Sequence, residues 1–212
     1  MFESLNNPLP TIVAATTNKH KIVEINAITE GYGLNVISRK DAGIPDDFDV
    51  VEDGDTFEEN SFKKAFETMK LAHLAAVSDD SGLEVDYLNG APGIYSARYA
   101  GGDGEEADAA NRKKLLEELK DVPWDKRTGR FVSVITLIFT DGKAIVARGE
   151  CEGNIEFIEK GDSGFGYDSI FVPSGEKQTF GELGSSKKNQ ISHRANALRK
   201  LSLLLEDFIN ER

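Results

Sequence analysis

Two aspartates stand side by side in Asp79-Asp80-Ser81-Gly82, directly after the short apolar run Ala75 to Ser78. Adjacent carboxylates at a strand end can hold a hard divalent cation such as Mg²⁺, which prefers oxygen ligands and keeps several waters. Glu52 and Glu59 lie upstream and can complete such a site. A cation held in this way neutralises a chain of phosphates and orients an attacking water. Ser81-Gly82 reads as a tight turn that brings a hydroxyl within reach of a phosphate. A bare Asp-Asp pair is better read as a solvated acidic turn, so it acquires chemical meaning only from its company.

That company comes from three other segments. Thr16-Thr17-Asn18-Lys19-His20-Lys21 separates the β-branched run Thr11 to Ala15 from Ile22, Ile25 and Ile28, which recur at helical spacing. A helix that opens just after a strand offers free backbone N–H groups and a positive dipole end to an anion, and the lysines add point charge. Neither a P-loop nor a GxGxxG fingerprint is present, and a strand-to-helix turn with an Asn cap is usually just a turn. Gly164-Phe165-Gly166-Tyr167-Asp168 sets aromatics between glycines. Exposed aromatics can stack on a base, and Asp168 can accept from a base or ribose donor; a loop with two core aromatics is an equal reading. Lys188-Asn189-Gln190-Ile191-Ser192-His193-Arg194 runs into a predicted helix. Ser192 fits an N-cap, but cations are disfavoured at the N1 and N2 positions that His193 and Arg194 then occupy. Donors retained there at a cost suggest a ligand, such as a carbonyl oxygen on a base. No zinc pattern and no serine-histidine-acid order can be built from one cysteine and three scattered histidines.

The elements that must position these residues follow from periodicity. Thr11 to Ala15 and Leu34 to Ser38 predict strands, with a helix between them stopped by Gly31 and Gly33. Thr56 and Glu59 form a capping box that predicts a helix to about His73. Glu105 to Leu119 is an amphipathic helix built on Leu115, Leu116 and Leu119. Phe131 to Thr140 is the strongest strand in the chain, and Asp141-Gly142 turns it into a return strand, Ala144 to Glu150. Ile155 to Ile158 and Asp168 to Val172 are further strand candidates. The last helix runs from near Ser192 to about Phe208 on Leu198, Leu201, Leu204, Leu205 and Phe208. Early alternation of strands and helices followed by a hairpin predicts an α/β fold with a mixed sheet.

Composition bounds the possibilities. At 212 residues and 39% hydrophobic, the chain can bury a real core in one domain or two closely joined lobes. No run is long enough for a membrane span, and the first ten residues show no secretory pattern. The single cysteine, Cys151, reads as a packed thiol, and a reducing cytoplasm is the expected setting. A net charge of −12 argues against nucleic-acid binding. Local clusters such as Lys19-His20-Lys21, Lys63-Lys64 and Lys187-Lys188 nevertheless leave a polyanionic small molecule open.

In their order along the chain these motifs resemble the Ham1/RdgB-like inosine and xanthosine triphosphate pyrophosphatases. The most specific stretches are Asp79 to Asp86 and Gly90 to Gly101, with Phe165-Gly166-Tyr167-Asp168 and Ile191-Ser192-His193-Arg194 close behind. The resemblance spans Thr11 to about Leu205. It implies one domain over residues 1–212, with an elongated mixed sheet flanked by helices and two lobes with an active-site cleft between them. It also implies a homodimer, and Mg²⁺ and water as co-reactants. By the same resemblance, Thr16 to Lys21 bind the triphosphate and Lys64 contacts phosphate. Asp80 is general base and metal ligand, with Glu52 as second ligand. Ser81 and Lys188 touch substrate, and Phe165 to Asp168 with His193 and Arg194 hold the base. Three positions depart from the family pattern: Thr17 where glycine is common, His20 where a small residue is common, and Ser169 where proline is usual. None removes a charged group.

The expected reaction is cleavage of non-standard purine nucleoside triphosphates to monophosphate and pyrophosphate. Asp80 would activate water, and Lys21 and Lys64 would hold the leaving pyrophosphate. Donors from His193, Arg194 or backbone would favour the oxygen at C6 of inosine and xanthosine over the amino group of adenine. A nucleotide-binding regulator without turnover would need the lysine turn and aromatic loop but not the aspartate pair. A pyrophosphatase of the Maf-like kind would act on other nucleotides, and the Ile-Ser-His-Arg segment speaks against it.

Overall fold

The computed structural model describes residues 11–29, 35–102 and 105–210. Strand β1, Thr11–Ala14, leads into helix α1, Lys19–Thr29, and strand β2, Asn35–Ile37. Gly31 and Gly33, the expected stop signals, lie outside the described residues. Helix α2, Phe57–Ala72, precedes strand β3, Ala75–Val85. Helix α3, Glu105–Glu118, precedes strands β4, Thr128–Ile138, and β5, Ala144–Ile155. Strand β6, Phe171–Pro173, and helices α4, Phe180–Ile191, and α5, His193–Asn210, complete the chain. The six strands form one sheet in the order β2-β1-β3-β4-β5-β6. The β1 strand pairs in parallel with β2 and β3, and β5 pairs antiparallel with β6. The expected α/β fold with a mixed sheet is therefore the observed one.

The chain divides into two compact units. The first comprises the described residues of Met1–Asp80, Val134–Arg148 and Ala197–Arg212; the second comprises those of Ser81–Ser133 and Gly149–Asn196. Ile12, Val77, Ile135, Leu137, Leu198 and Leu201 make the core of the first, with Leu204, Leu205 and Phe208 packed against it. Leu198, Leu201, Leu204, Leu205 and Phe208 are the residues whose spacing announced the last helix. The second core gathers Leu83, Val85, Leu115, Leu119, Phe131, Ile155, Phe171 and Phe180. Cys151 belongs to it, and burial pushes its thiol up to about 12, as suits a packed group. Among the described residues no helix is long and apolar enough to cross a membrane.

Several local expectations are corrected. Asp79-Asp80-Ser81-Gly82 is not a turn: β3 runs straight through it for 11 residues. The carboxylates find ammonium partners and so need no solvent, and Leu83 and Val85 continue the buried pattern beyond them. The capping box at α2 is shifted. Thr56 accepts from the Glu59 N–H at 3.1 Å, but the Glu59 carboxylate reaches back one residue further, to Asp55 N at 2.7 Å. Ile155 does not open a new strand; β5 continues to it unbroken. The segment from Asp168 begins as a single 3-10 turn and only then becomes β6. Helix α4 was not foreseen. Thr179 and Glu182 form a full capping box at its start, whereas Gly181, Gly184, Ser185 and Ser186 make the segment read as loop. Gly184 indeed kinks it, with φ +73°.

Candidate active site

In the first unit, two helices aim lysines at the middle of β3. The Asn18 side chain caps α1 by accepting from the Lys21 N–H at 3.1 Å, and Thr16 Oγ1 accepts from Asn18 N at 3.2 Å. Thr17 and Asn18 are exposed on this turn. Lys19 and His20 open the helix, and the roles expected of their side chains fall outside the described positions. Lys21 Nζ lies 3.3 Å from the Asp79 carbonyl oxygen and 3.8 Å from its carboxylate.

Helix α2 buries an i, i+3, i+4 stripe of Phe57, Asn60, Ser61, Lys64, Ala65, Thr68 and Met69. Four of these are polar, on the face where apolar residues belong. Ser61 docks on the sheet through Ser78 Oγ at 2.7 Å, the Val134 carbonyl at 2.9 Å and Thr136 Oγ1 at 2.9 Å. One turn further along the helix, Lys64 is left only 9% exposed. Its Nζ donates to Asp80 Oδ1 at 2.6 Å and to the Asp79 carbonyl at 3.2 Å, and lies 3.1 Å from Glu52 Oε1. A lysine is rarely buried unless charges of opposite sign meet it, and here two carboxylates do.

The charges are strongly coupled. Burial, against the pull of Lys64 and Lys21, pushes Asp80 up to about 6, and the nearby Glu52 adds to the rise. Burial also works to raise Glu52, but Lys64 and a hydrogen bond with Asp80 outweigh it and hold Glu52 below its ordinary value. Desolvation would lower Lys64; Asp80 and Glu52 reverse this and raise it. Asp79, 1% exposed, points to the face opposite Asp80, because successive strand residues alternate. The loop carrying Glu52 is fastened where Gly54 N donates to Asn60 Oδ1 at 2.8 Å. Any Cβ at Gly54 would come within 2.9 Å of that oxygen, so the tether requires glycine. Sequence reading missed Asn60 and Ser61. Their signal is a run of polar residues at the helical spacing that normally carries apolar ones.

In the second unit the aromatic loop, Lys188 and the start of α5 come together. Asp168 is buried and accepts with Oδ2 from Phe165 N at 2.9 Å and Lys188 Nζ at 2.8 Å. A Cβ at Gly164 would meet that oxygen at 2.0 Å, and Gly164 sits at φ +84°, so this position also requires glycine. Lys188 Nζ lies 4.5 Å from the centre of the half-buried Phe165 ring, and the Arg194 guanidinium lies 5.9 Å from it. Arg194, wholly buried, donates to Ser81 Oγ at 3.2 Å. Ser192 accepts from Ala195 N at 3.2 Å, as an N-cap should, which places His193 and Arg194 at the first two helical positions. His193 stacks on Phe131 with centroids 4.7 Å apart. Tyr167 is a core aromatic whose hydroxyl donates to the Ser96 carbonyl at 2.8 Å. Of the two aromatics in the loop, Phe165 is thus the one that is not part of the core. Gly166 has its N–H and C=O taken by Asp108 and Arg112 of α3, residues that sequence reading passed over.

The chain is similar to known proteins along most of its length. The family model described as the Ham1 family matches residues 12–203. A dITP/XTP pyrophosphatase from Clostridium perfringens is 51% identical over 195 residues, covering 89% of this chain and 94% of the relative. One from Mannheimia succiniciproducens is 50% identical over 192 residues, covering 90% and 95%. The solved Ham1 protein of Staphylococcus aureus superposes with a TM-score of 0.80 at 41% identity, covering 93% of this chain and 98% of that one. The Ham1 protein of Coxiella burnetii gives 0.82 at 36% identity, covering 93% and 99%. With the buried lysine–carboxylate cluster and the cation-flanked aromatic loop both in place, these likenesses have one reading: the chain belongs to the Ham1 family.

Proposed function

We propose that this protein hydrolyses non-standard purine nucleoside triphosphates, those of inosine, deoxyinosine and xanthosine, to nucleoside monophosphate and pyrophosphate. The observation that carries the reading is the placement of Lys64 against Asp80, Glu52 and the Asp79 carbonyl, with Lys21 close by. Both lysines meet the Asp79 carbonyl, and Lys64 also binds the buried Asp80 carboxylate, which burial pushes up to about 6. The curated relatives at about half identity carry the name dITP/XTP pyrophosphatase, which supports the same reaction.

The donor set fits Mg²⁺. Glu52 and Asp80 are two carboxylates that both meet Lys64 Nζ, at 3.1 and 2.6 Å. Among the described residues no group of three or more histidine, cysteine or acidic side chains is placed to hold a metal alone. Two carboxylates with substrate phosphates completing the shell is how Mg²⁺ is commonly held. When bound, the ion would neutralise phosphate charge and help to orient the nucleophile.

Asp80 takes a proton from water as the water oxygen bonds to the α-phosphorus. The bond from that phosphorus to the bridging oxygen breaks, pyrophosphate leaves with that oxygen, and Asp80 later returns its proton to solvent. A base whose pKa lies near the working pH is effective in this role. Lys21 and Lys64 supply positive charge to the departing pyrophosphate, together with the Thr16 to Lys21 turn, and Ser81 offers a hydroxyl to substrate. Phe165 provides a stacking face for the base, flanked by Lys188. Donors at His193 and Arg194 pair with an oxygen at C6 of the base; an amino group there would leave them unsatisfied, at a cost of about 1–3 kcal/mol. The single, packed cysteine suits a reducing cytoplasm, and the family resemblance carries a homodimer with it.

The test is pyrophosphate release from inosine, xanthosine, adenosine and guanosine triphosphates, each with Mg²⁺ and with chelator. Fast, Mg²⁺-dependent release from the first two is expected. Equal release from adenosine triphosphate would overturn the selectivity, and binding without release would overturn the reaction.

A further inference from the structure

Helix α3 carries no residue of the proposed chemistry, yet three of its polar side chains point where its apolar stripe should lie. Asp108, Asn111 and Arg112 precede Leu115 and Leu119 at the i, i+3, i+4 positions that continue the buried face. Each binds backbone. Asp108 Oδ2 accepts from Gly166 N at 2.8 Å, and Arg112 Nη1 donates to Gly166 O at 2.8 Å. Asn111 donates to the Ala97 carbonyl at 3.0 Å and accepts from Ala100 N at 2.6 Å. The Ser96 carbonyl beside Ala97 is in turn the acceptor for the Tyr167 hydroxyl. Arg112 also donates to Glu159 at 2.8 Å, and Glu159 accepts from Ser169 Oγ at 3.1 Å. One helix therefore grips the Phe165–Asp168 loop at Gly166 directly and braces Tyr167 through the 93–98 turn.

The loop needs such a grip. Gly164 and Gly166 both adopt positive φ, and glycines leave a chain free to wander unless its polar groups are taken. Among the described residues, none beyond its chain neighbours lies within 4 Å of where a Gly166 Cβ would stand, so no described side chain packs on that side to hold the loop. Two hydrogen bonds to ionised side chains, each about twice as strong as a neutral one, replace packing. We infer that Asp108 and Arg112 are positioning residues for nucleotide recognition: their clamp on the Gly166 peptide groups holds Phe165 ready for the base. This rests on the proposal that Phe165 stacks on the base of the substrate.

The experiment compares wild type with Asp108→Ala, Arg112→Ala and Phe165→Ala, measuring kcat and KM for inosine and adenosine triphosphates. Inhibition by inorganic tripolyphosphate reports phosphate handling alone. Losing one charged hydrogen bond to the loop is expected to raise KM for inosine triphosphate about tenfold. With kcat within about threefold of wild type, the loss falls on ground-state binding. Preference for inosine over adenosine should fall towards that of Phe165→Ala, tripolyphosphate inhibition should be unchanged, and Asp108→Asn, which keeps the acceptor, should recover most of the loss. If Phe165→Ala changes KM and preference while both α3 variants match wild type, the clamp is structural only and the inference fails. If Phe165→Ala changes neither, the base-stacking reading fails and takes the clamp with it. Should Asp108→Ala not fold, Arg112→Lys decides the matter: it keeps the charge but not the fork that spans Glu159 and Gly166, and wild-type KM in that variant overturns the inference.

Discussion

The Asp168–Lys188 pair offers a measurable test of how the base loop is held. Both side chains are 4% exposed and 2.8 Å apart. Replacing Asp168 by Asn leaves shape and the acceptor for Phe165 N intact but removes the charge that faces Lys188. Breaking a buried pair at one end typically costs about 3–5 kcal/mol, because the remaining charge stays desolvated. Set against a total stability of about 5–15 kcal/mol, that is a large fraction. With a urea slope of about 3 kcal/mol/M, the upper end of the range for small proteins, the midpoint should fall by roughly 1–2 M. Lys188→Met should cost a similar amount for the converse reason. The double variant removes both charges, so no charge is left buried without its partner, which is what makes each single change costly. It should therefore unfold no earlier than either single variant, with a coupling of at least ~2 kcal/mol. The assay is a urea melt of all four proteins. Single variants within about 1 kcal/mol of wild type, or a cycle additive to within ~0.5 kcal/mol, would refute the account.

Other consequences concern the lysine–carboxylate cluster. Asp80→Asn should slow pyrophosphate release by at least about 100-fold, the usual scale of a lost general base; turnover near that of wild type would exclude Asp80 as base. In chelator, the native state keeps the Asp80 proton to about pH 6, whereas the unfolded chain releases it near 3.8. Stability from this group therefore falls as pH rises between those values. Glu52, held below 4.5, acts in the opposite sense: its contribution is present above 4.5 and is lost as pH falls through its lowered value. Thermal melts across pH 3 to 7 should show the fall flattened in Asp80→Asn, and identical curves would contradict this. Gly54→Ala places a Cβ 2.8 Å from that of Glu59 and 2.9 Å from Asn60 Oδ1. It should cost about 1–3 kcal/mol by overpacking and raise the Mg²⁺ concentration needed for half activity, which a Mg²⁺ titration would read.

Much of this molecule was legible before its structure. The leucine spacing of α5, the Asp141-Gly142 hairpin and the Asn18 and Ser192 caps are local signals, and each stands where its pattern placed it. The misses share a physical cause. Asp79-Asp80-Ser81-Gly82 has the composition of an exposed turn, and only lysines 58 and 15 residues away, brought in by other helices, allow it to be strand. In α4 a complete capping box opens a glycine- and serine-rich segment, and the helix accommodates Gly184 with a kink. Asp108 and Arg112 bind backbone atoms 58 and 54 residues along the chain, and Asn60 binds one six residues back, outside its helix; no periodicity encodes either. Their one local mark is polarity on a stripe that otherwise belongs to the core.

That the two aspartates lie within a strand bears on which changes of length the chain can absorb. A surface turn accepts an added or deleted residue with little harm, because its ends can readjust. A strand cannot: shifting its register by one exchanges its two faces. A single deletion ahead of Ser78 would bring Asp80 towards the place of Asp79 and move Leu83 and Val85 out of the second core together. Chemistry and folding would fail in the same event. The spacing from Ala75 to Val85 should accordingly behave as a ruler, open to substitution at some of its marks but closed to insertion or deletion along its length.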